Sequence, residues 1–347
     1  ALPIWQSADG EKIVVDSVAT LKQYAKKSGN QYFVMRHGET EHNVKNILNY
    51  KNRSTYDLTD KGKTEIQTNA DNLVDKNITA IYTSPFQRTK ETAYIVAEKL
   101  GIPKESVIED ERLCELNIGE FDEKPKLEFL KWEESISSYD EPVPGGESYN
   151  EAKKRFGDFM YEIENRHKNE AILIVGHGIT VESAEIVAEG GDEKVWRSKP
   201  DSFSAKNAEI RQIDFAPLPH NEQYELDLHR PYIDDVVLEK DGKEYRRVKE
   251  VMDVWFDSGS MPFASFGSAQ DRQASYPADF ISEAIDQTRG WFYTLLAVGV
   301  LMDRGTPYKN VICLGHLLDK DGKKMSKSIG NIVEPFEQMD KFGVDAV

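Results

Sequence analysis

Cysteine is nearly absent from this chain of 347 residues. The two present, Cys114 and Cys313, supply neither a zinc spacing nor a disulfide framework and fit a reducing compartment. Basic residues are also short: 44 Lys and Arg stand against 61 Asp and Glu, a net charge of −17. That balance argues against a simple nucleic-acid binder, because phosphate contacts come from Lys and Arg. Long apolar runs are missing too, since the longest, Trp291 to Met302, contains Tyr293 and Thr294 and falls short of the ~20 residues of a membrane span. No signal peptide, internal repeat or low-complexity segment is visible, so the expectation is a soluble, cytoplasmic protein without a membrane partner. Length suggests about two domains.

What is present begins with Tyr32-Phe-Val-Met-Arg36-His37-Gly38-Glu39, an apolar run that reads as a buried strand delivering a histidine to its carboxyl end. By residue type, His37 suits attack on phosphorus, Arg36 suits phosphate oxygens, and Gly38 would let the backbone turn closely past an anion. The tetrapeptide alone could equally be a strand ending in a charged turn. Two further apolar runs agree with the sharper reading: Ile78 to Ser84, followed by Pro85 and Arg88, and Ala171 to Gly176, followed by His177 and Gly178. Short apolar runs separated by helical patterns imply a parallel sheet, and ligands of such sheets collect outside the strand carboxyl ends. His37, Arg88 and His177 are therefore predicted to share one edge. Helical stripes at Ile66, Ala70, Leu73 and Val74, at Ala93, Val96, Ala97 and Leu100, and at Ala152, Phe156, Phe159, Met160 and Ile163 read as core. The stretch from Ala208 to Phe215 alternates and reads as a last strand, and Glu120 to Ser148 reads as a loop-rich cap.

These motifs resemble the histidine phosphatase superfamily, in its phosphoglycerate-mutase-like branch. Arg36-His37-Gly38, Asn43, Leu58-Thr59 with Gly62, the Ser84-Pro85 to Arg88 pattern, Glu115, Pro144 to Ser148 and Gly176-His177-Gly178 each fall on a family motif. The resemblance implies a three-layer α/β sandwich, a phosphohistidine at His37, and charge stabilisation by Arg36, Arg88 and His177. It further implies a proton donor at Glu115 and phosphate contacts from Asn43 and Gly178. No cofactor or metal is implied, and the substrate would be a small phosphorylated molecule. Cys114 reads as a buried thiol beside the donor.

The remainder carries Leu226 to Tyr232, Asp253 to Ala264, Asp286 to Phe292 and Lys324-Met-Ser-Lys-Ser328, with hardly any helical or strand periodicity to explain these strings. Together they resemble class I aminoacyl-tRNA synthetases, the isoleucyl branch in particular, and Leu2 to Trp5 with Ser17 to Leu21 resemble an earlier part of the same family. The resemblance puts Lys324, Ser326 and Lys327 on the phosphates of ATP, Asp286, Gln287 and Arg289 near the adenylate, and Trp255, Asp257 and Gly259 near the amino-acid pocket. It implies ATP as substrate, with Mg in a parent enzyme, and tRNA and isoleucine as partners. His229 reads as structural. No His-x-Gly-His string occurs, and Glu239 to Glu244 replaces a cysteine-bearing segment of many relatives, which removes any reason to expect zinc. The expected organisation is a fragment: residues 1–29 as a first synthetase piece, 30–219 as the inserted phosphatase-like domain, and 220–347 as a second piece with the Lys-Met-Ser-Lys-Ser loop. The expected fold is thus an α/β sandwich set into a partial, Rossmann-like synthetase domain. Alternatives for the insert are a mutase or a module that senses a phosphorylated ligand without turnover. The basic clusters Lys153-Lys154-Arg155 and Arg246-Arg247 are expected to be solvated faces.

Overall fold

Apolar side chains in the first half of the chain fall at strand spacing in some segments and helical spacing in others, and each pattern finds its element. The computed structural model describes residues 4–200, 203–250, 254–265, 276–316, 318–323, 325 and 331–346. It divides near residue 250 into two compact units.

The unit up to Lys249 opens with β1 (Ile4–Ser7), β2 (Lys12–Val14) and α1 (Val18–Tyr24), the last capped by the Ser17 side chain. The chain then enters β3 (Gln31–Arg36), α2 (Glu41–Lys45), α3 (Asp60–Ala70), β4 (Ile78–Thr83), α4 (Gln87–Leu100), β5 (Ile108–Glu109) and α5 (Lys126–Glu133). It continues through α6 (Tyr149–Arg166), β6 (Ala171–Gly176), α7 (Gly178–Glu189), α8 (Glu193–Arg197), β7 (Ile210–Ile213), β8 (Val237–Lys240) and β9 (Lys243–Arg247).

Five of these strands form one sheet in the order β5-β4-β6-β3-β7, parallel except for β7. Because successive side chains of a strand point to opposite faces, β3 sends Tyr32 and Val34 one way and Phe33 and Met35 the other. Tyr32 and Val34 pack with Phe156, Phe159, Met160 and Val181 of α6 and α7, whereas Phe33 and Met35 pack with Ile66, Ala70, Ala93 and Val96 of α3 and α4. Both faces are covered, which is why β6 is buried at every position. The result is a three-layer α/β sandwich.

A second sheet, β2-β1-β9-β8, is antiparallel and joins strands from opposite ends of this unit. Trp5 is fully buried there with Leu21, Leu218, Leu238 and Tyr245, and its indole donates to the carbonyl of Val236 at 2.9 Å. The two crossings between the sheets are fastened close together. Glu164 accepts hydrogen bonds from the Ser28 backbone, the Ser28 hydroxyl and the Tyr32 phenol, while Lys27 pairs with Asp214 at 2.9 Å and the Tyr161 hydroxyl donates to Leu218.

Three expectations change. Lys153 is not solvated: it lies on the buried stripe of α6, and its ammonium pairs with Glu225 at 2.9 Å. Arg155 is partly buried against Glu147, and Arg247 is nearly buried against Asp234, so only Lys154 and Arg246 fit the solvated reading. Val74 is about half exposed because the helical stripe passes into a 3-10 turn at Asp71 and its phase shifts. The cap between Glu120 and Ser148 is loop-rich, as expected, and carries one short helix, α5.

The second unit contains α9 (Val254–Ala264), β10 (Ile281–Ala284), α10 (Trp291–Leu301), β11 (Val311–Leu314) and α11 (Pro335–Phe342). Of the motif strings expected to lack periodicity, the one ending at Ala264 is helical from Val254, with Gly259 and Pro262 hiding any amphipathic stripe, and Asp286 to Phe292 runs through a 3-10 turn into the start of α10. β10 and β11 pair in parallel, and no helix among the described residues is long and apolar enough to cross a membrane.

Candidate active site

β3 and β6 run side by side and both end in the same direction, so the residues that follow them, His37 and His177, meet at one edge with ring centroids 5.4 Å apart. Arg88, on the first turn of α4 after β4, reaches the same point, and one of its guanidinium nitrogens lies 3.3 Å from His177 Nδ1. Arg36, Asn43, Glu115 and Gly178 join His37 and Arg88 in the lining of a cleft of about 760 Å³. Apart from the adjacent Arg36 and His37, these residues come from separate segments of the chain. They converge because parallel strands place their carboxyl ends together.

The hydrogen bonds define the protonation of the two rings. His37 Nδ1 lies 2.7 Å from the carbonyl of Gly38, an oxygen that can only accept, so Nδ1 carries the proton and Nε2 keeps the lone pair. Burial, then the charges of Arg88 and Arg36, hold His37 well below the usual histidine range. His177 is neutral for the same leading reason, burial, followed by Arg88. Its Nδ1 accepts from Arg88, which leaves Nε2 to donate to the Ser84 hydroxyl at 2.9 Å. Burial lowers Arg88 only to about 10, so its guanidinium stays charged at neutral pH. Glu115 is partly exposed, with a carboxylate oxygen 3.7 Å from His177 Nδ1. A neutral nucleophilic nitrogen, two guanidinium groups and a carboxyl group thus face one cleft, a set suited to receiving a phosphoryl group.

Gly38 is also required by packing. A Cβ there would meet the Ile66 side chain at 2.6 Å and the carbonyl of Gly62 at 2.9 Å, and one on Gly62 would meet the carbonyl of Glu39 at 2.2 Å. Both glycines allow β3 and α3 to touch. At Gly178 a Cβ would meet nothing. Asn43 is tied by its side-chain oxygen to Thr40 and Asn207. Cys114 is buried near Glu111, and burial pushes its thiol up to about 12, which fits an inert group.

Several supporting residues escaped sequence reasoning. Asn49 accepts from Arg88 through its side chain at 2.9 Å and its carbonyl at 3.3 Å, and the carbonyl of Ala205 accepts from Arg36 at 2.7 Å. His42, buried beside His37 and lowered to about 3 by burial and then by Arg88, also lines the cleft. Asn49 and Ala205 sit in irregular segments that carry no periodic signal. His42, next to Asn43 in the motif, could have been found by its position.

In the second unit, Asp286 and Gln287 follow the carboxyl end of β10, with Asp286 4.0 Å from His316, which follows β11. Gln287 accepts from the Trp291 backbone, and the Trp291 indole donates to the carbonyl of Ser258. Gly259 is buried where α9 crosses α10, since a Cβ would meet the Thr294 carbonyl at 2.7 Å. Trp255 reaches the region of Gly290, whereas Asp257 and Arg289 are exposed. Lys324, Ser326 and Lys327 lie outside the described residues. His229 is exposed and hydrogen-bonded to Asp227. Among the described residues no group of three or more His, Cys, Asp and Glu could hold a metal ion.

Comparison with known proteins divides the chain at an earlier point than the boundary between the compact units near residue 250. The model of the histidine phosphatase superfamily (branch 1) matches residues 32–218, and that of the class I tRNA synthetases (I, L, M and V) matches residues 194–347. Where the two overlap, β7 pairs with β3 and so belongs to the first sheet. The isoleucine–tRNA ligase of Deinococcus radiodurans is 46% identical over 170 residues, which is 45% of this chain and 16% of that protein. That of Cutibacterium acnes is 55% identical over 128 residues, 35% of this chain and 12% of the relative, so the chain spans only a small part of the curated relatives it matches. Among solved structures, Bacillus stearothermophilus YhfR is 25% identical with a TM-score of 0.46, covering 53% of this chain and 90% of that one. A mycobacterial glucosyl-3-phosphoglycerate phosphatase is 21% identical with a TM-score of 0.45, covering 52% and 90%.

Proposed function

The chain belongs to the histidine phosphatase superfamily through residues 32–218, and from that premise we propose that this part is a phosphomonoester hydrolase with His37 as nucleophile. The observation that carries the reading is the bond from His37 Nδ1 to the Gly38 carbonyl, which leaves a lone pair on Nε2 in a ring kept neutral by burial. Nε2 attacks phosphorus, and the bond to the leaving oxygen breaks. Arg36 and Arg88 hold the equatorial oxygens, where their donors stabilise charge spread over the transferring group, and His177, whose one N–H goes to Ser84, positions the Arg88 guanidinium through Nδ1. Asn43 and the start of α7 at Gly178 face the same cleft and bind the phosphate, the latter with the positive end of the helix. Glu115 gives a proton to the departing alkoxide, then takes one from the water that attacks the phosphohistidine. Phosphate leaves, and the ring returns to its starting state.

Acid-labile, base-stable label on the peptide containing His37, trapped within one turnover of a phosphate ester, tests the covalent step. Turnover with no label at His37 in any quench would sink it. A label that persists and returns to product instead of water would mark a mutase.

We further propose that residues 1–29 and 220–347 are two pieces of an isoleucine–tRNA ligase, into which residues 30–219 are inserted. The shared sheet of β1 and β9 supports a host interrupted by a guest, since insertion requires guest termini that lie close together. In the whole enzyme Lys324, Ser326 and Lys327 would hold the phosphates of ATP, carried as its magnesium salt. Asp286, Gln287, Arg289, Trp255, Asp257 and Gly259 would border the adenylate, with isoleucine and tRNA as the other substrates. Because this chain has no His-x-Gly-His string, isoleucine-dependent exchange between pyrophosphate and ATP should be absent from it and present in the parent. Strong exchange by residues 1–347 alone would contradict the reading.

A further inference from the structure

The cleft is much larger than a phosphate group requires. Its inner end holds Arg36, His37 and Arg88, and its outer half is built differently, from Tyr139, Tyr149 and Trp196 with Glu133 and Glu182. Tyr149 stacks on Tyr139 at 4.7 Å, and Trp196 meets both edge-on at 5.7 and 5.5 Å, so these rings form one rigid wall.

The charges on this wall do not cancel. Arg197 and Lys199 also line the cleft, but each has a carboxylate of its own: Arg197 pairs with Glu193 at 2.6 Å, and Lys199 pairs with Glu189 at 2.7 Å. Glu133 and Glu182 are held instead by neutral donors, the Tyr149 hydroxyl and, at 3.3 Å, the Trp196 indole. A neutral donor orients a carboxylate without removing its charge. Lys126, exposed on the cleft lining, is the remaining base in this outer half. The rings of the wall favour cations too: Arg197 already lies over Tyr139 at 4.1 Å, and Lys199 lies over Phe203 at 5.3 Å. Burial first, and then the nearby Glu115 and Glu133 charges, push Glu182 upward, and an arriving cation would offset both the desolvation and the repulsion.

We propose that the outer half of the cleft binds a cationic nitrogen through Glu133 and Glu182, so that the preferred substrates are phosphomonoesters of amino or quaternary ammonium alcohols. The proposal rests on the phosphatase reading of the inner half and deepens it. It also disfavours substrates with a carboxylate next to the phosphate ester, because that carboxylate would face Glu133 and Glu182 across a partly desolvated cleft.

The test compares alkyl phosphates with similarly poor leaving groups, using the full chain. kcat/KM is measured for phosphoethanolamine, phosphocholine, glycerol 3-phosphate and 3-phosphoglycerate, with 4-nitrophenyl phosphate as a reference. At least one of the two cationic esters should exceed glycerol 3-phosphate by about tenfold, the amount expected from one charge-assisted contact, and 3-phosphoglycerate should be the poorest. In Glu182→Gln and Glu133→Gln the ratio of the cationic ester to glycerol 3-phosphate should fall toward one. Because this ratio is taken within each variant, partial loss of folded protein cancels. Hydrolysis of 4-nitrophenyl phosphate combined with a preference for 3-phosphoglycerate, or with ratios unmoved by either substitution, overturns the cation site and leaves the phosphatase reading standing. No turnover of any ester overturns both.

Discussion

β6 and β11 are both short apolar strands of parallel sheets, yet they end in opposite states. Ala171 to Gly176 is buried at every position, whereas Val311, Ile312 and Leu314 are 39%, 51% and 54% exposed. Composition does not separate them. The difference is covering: β6 has strands on both sides and helices packed over both faces, while β11 pairs only with β10 among the described residues. An apolar strand therefore reports what the fold requires of its neighbours, not that the requirement is met within the same stretch of chain. The same contrast extends to chemistry. Around His37 the polar groups are buried and mostly matched, which fixes tautomers and charges, whereas Asp286 and Arg289 are exposed and their chemistry is left open to whatever approaches.

The contrast can be broken most decisively at the nucleophile. His37→Ala should lower phosphatase turnover by about 10⁴-fold or more, since nothing else in the cleft supplies the covalent step. Steady-state rates with 4-nitrophenyl phosphate check this, and a residual rate within tenfold of the parent would show that the buried site is not the reactive one. Glu115→Gln should cost about 10²–10⁴-fold on alkyl phosphates, and less on 4-nitrophenyl phosphate, whose leaving anion needs no proton. Equal losses on both esters would remove Glu115 from the role of proton donor.

The packing contrast is tested by paired truncations in denaturant unfolding. Ile174→Ala should destabilise its unit by about 2–5 kcal/mol, because it empties space in a close-packed core, and Ile312→Ala should cost less than about 1 kcal/mol. Comparable losses would mean that β11 is covered in solution.

The same buried rings make stability depend on pH. His42 is lowered from 6.5 to about 3, and His37 and His177 are lowered as well, so the unfolded chain binds protons that the folded chain refuses. Stability supplied by these neutral rings is complete above 6.5 and is lost as pH falls below it. For His42 the loss approaches about 1.4 kcal/mol per pH unit, continuing toward pH 3. Thermal midpoints of the first unit between pH 7 and 5 measure the slope, and replacement of His42 by Gln should flatten it. A midpoint that stays level through this window contradicts the buried neutral histidines.

Much of the inner site is legible in the amino-acid sequence, and the reason is topological. Apolar runs separated by helical stripes require a parallel sheet, and parallel strands end on one edge, so the order of elements alone brings His37, Arg88 and His177 together. The sequence by itself thus determined the strand scaffold and which motif residues that scaffold brings together. Tertiary structure alone decided which side chains hold those residues in place. Asn49 and the Ala205 carbonyl come from segments without periodicity, and Gly38 answers to Ile66 and Gly62 across a contact that no local pattern encodes. Lys153 looked solvated as part of a basic triplet, but a buried charge depends on a partner, and Glu225 is supplied from a distant loop. Local order sets which atoms are available; only the packing of remote segments sets their partners, because hydrogen bonds and desolvation depend on distance in space and not along the chain.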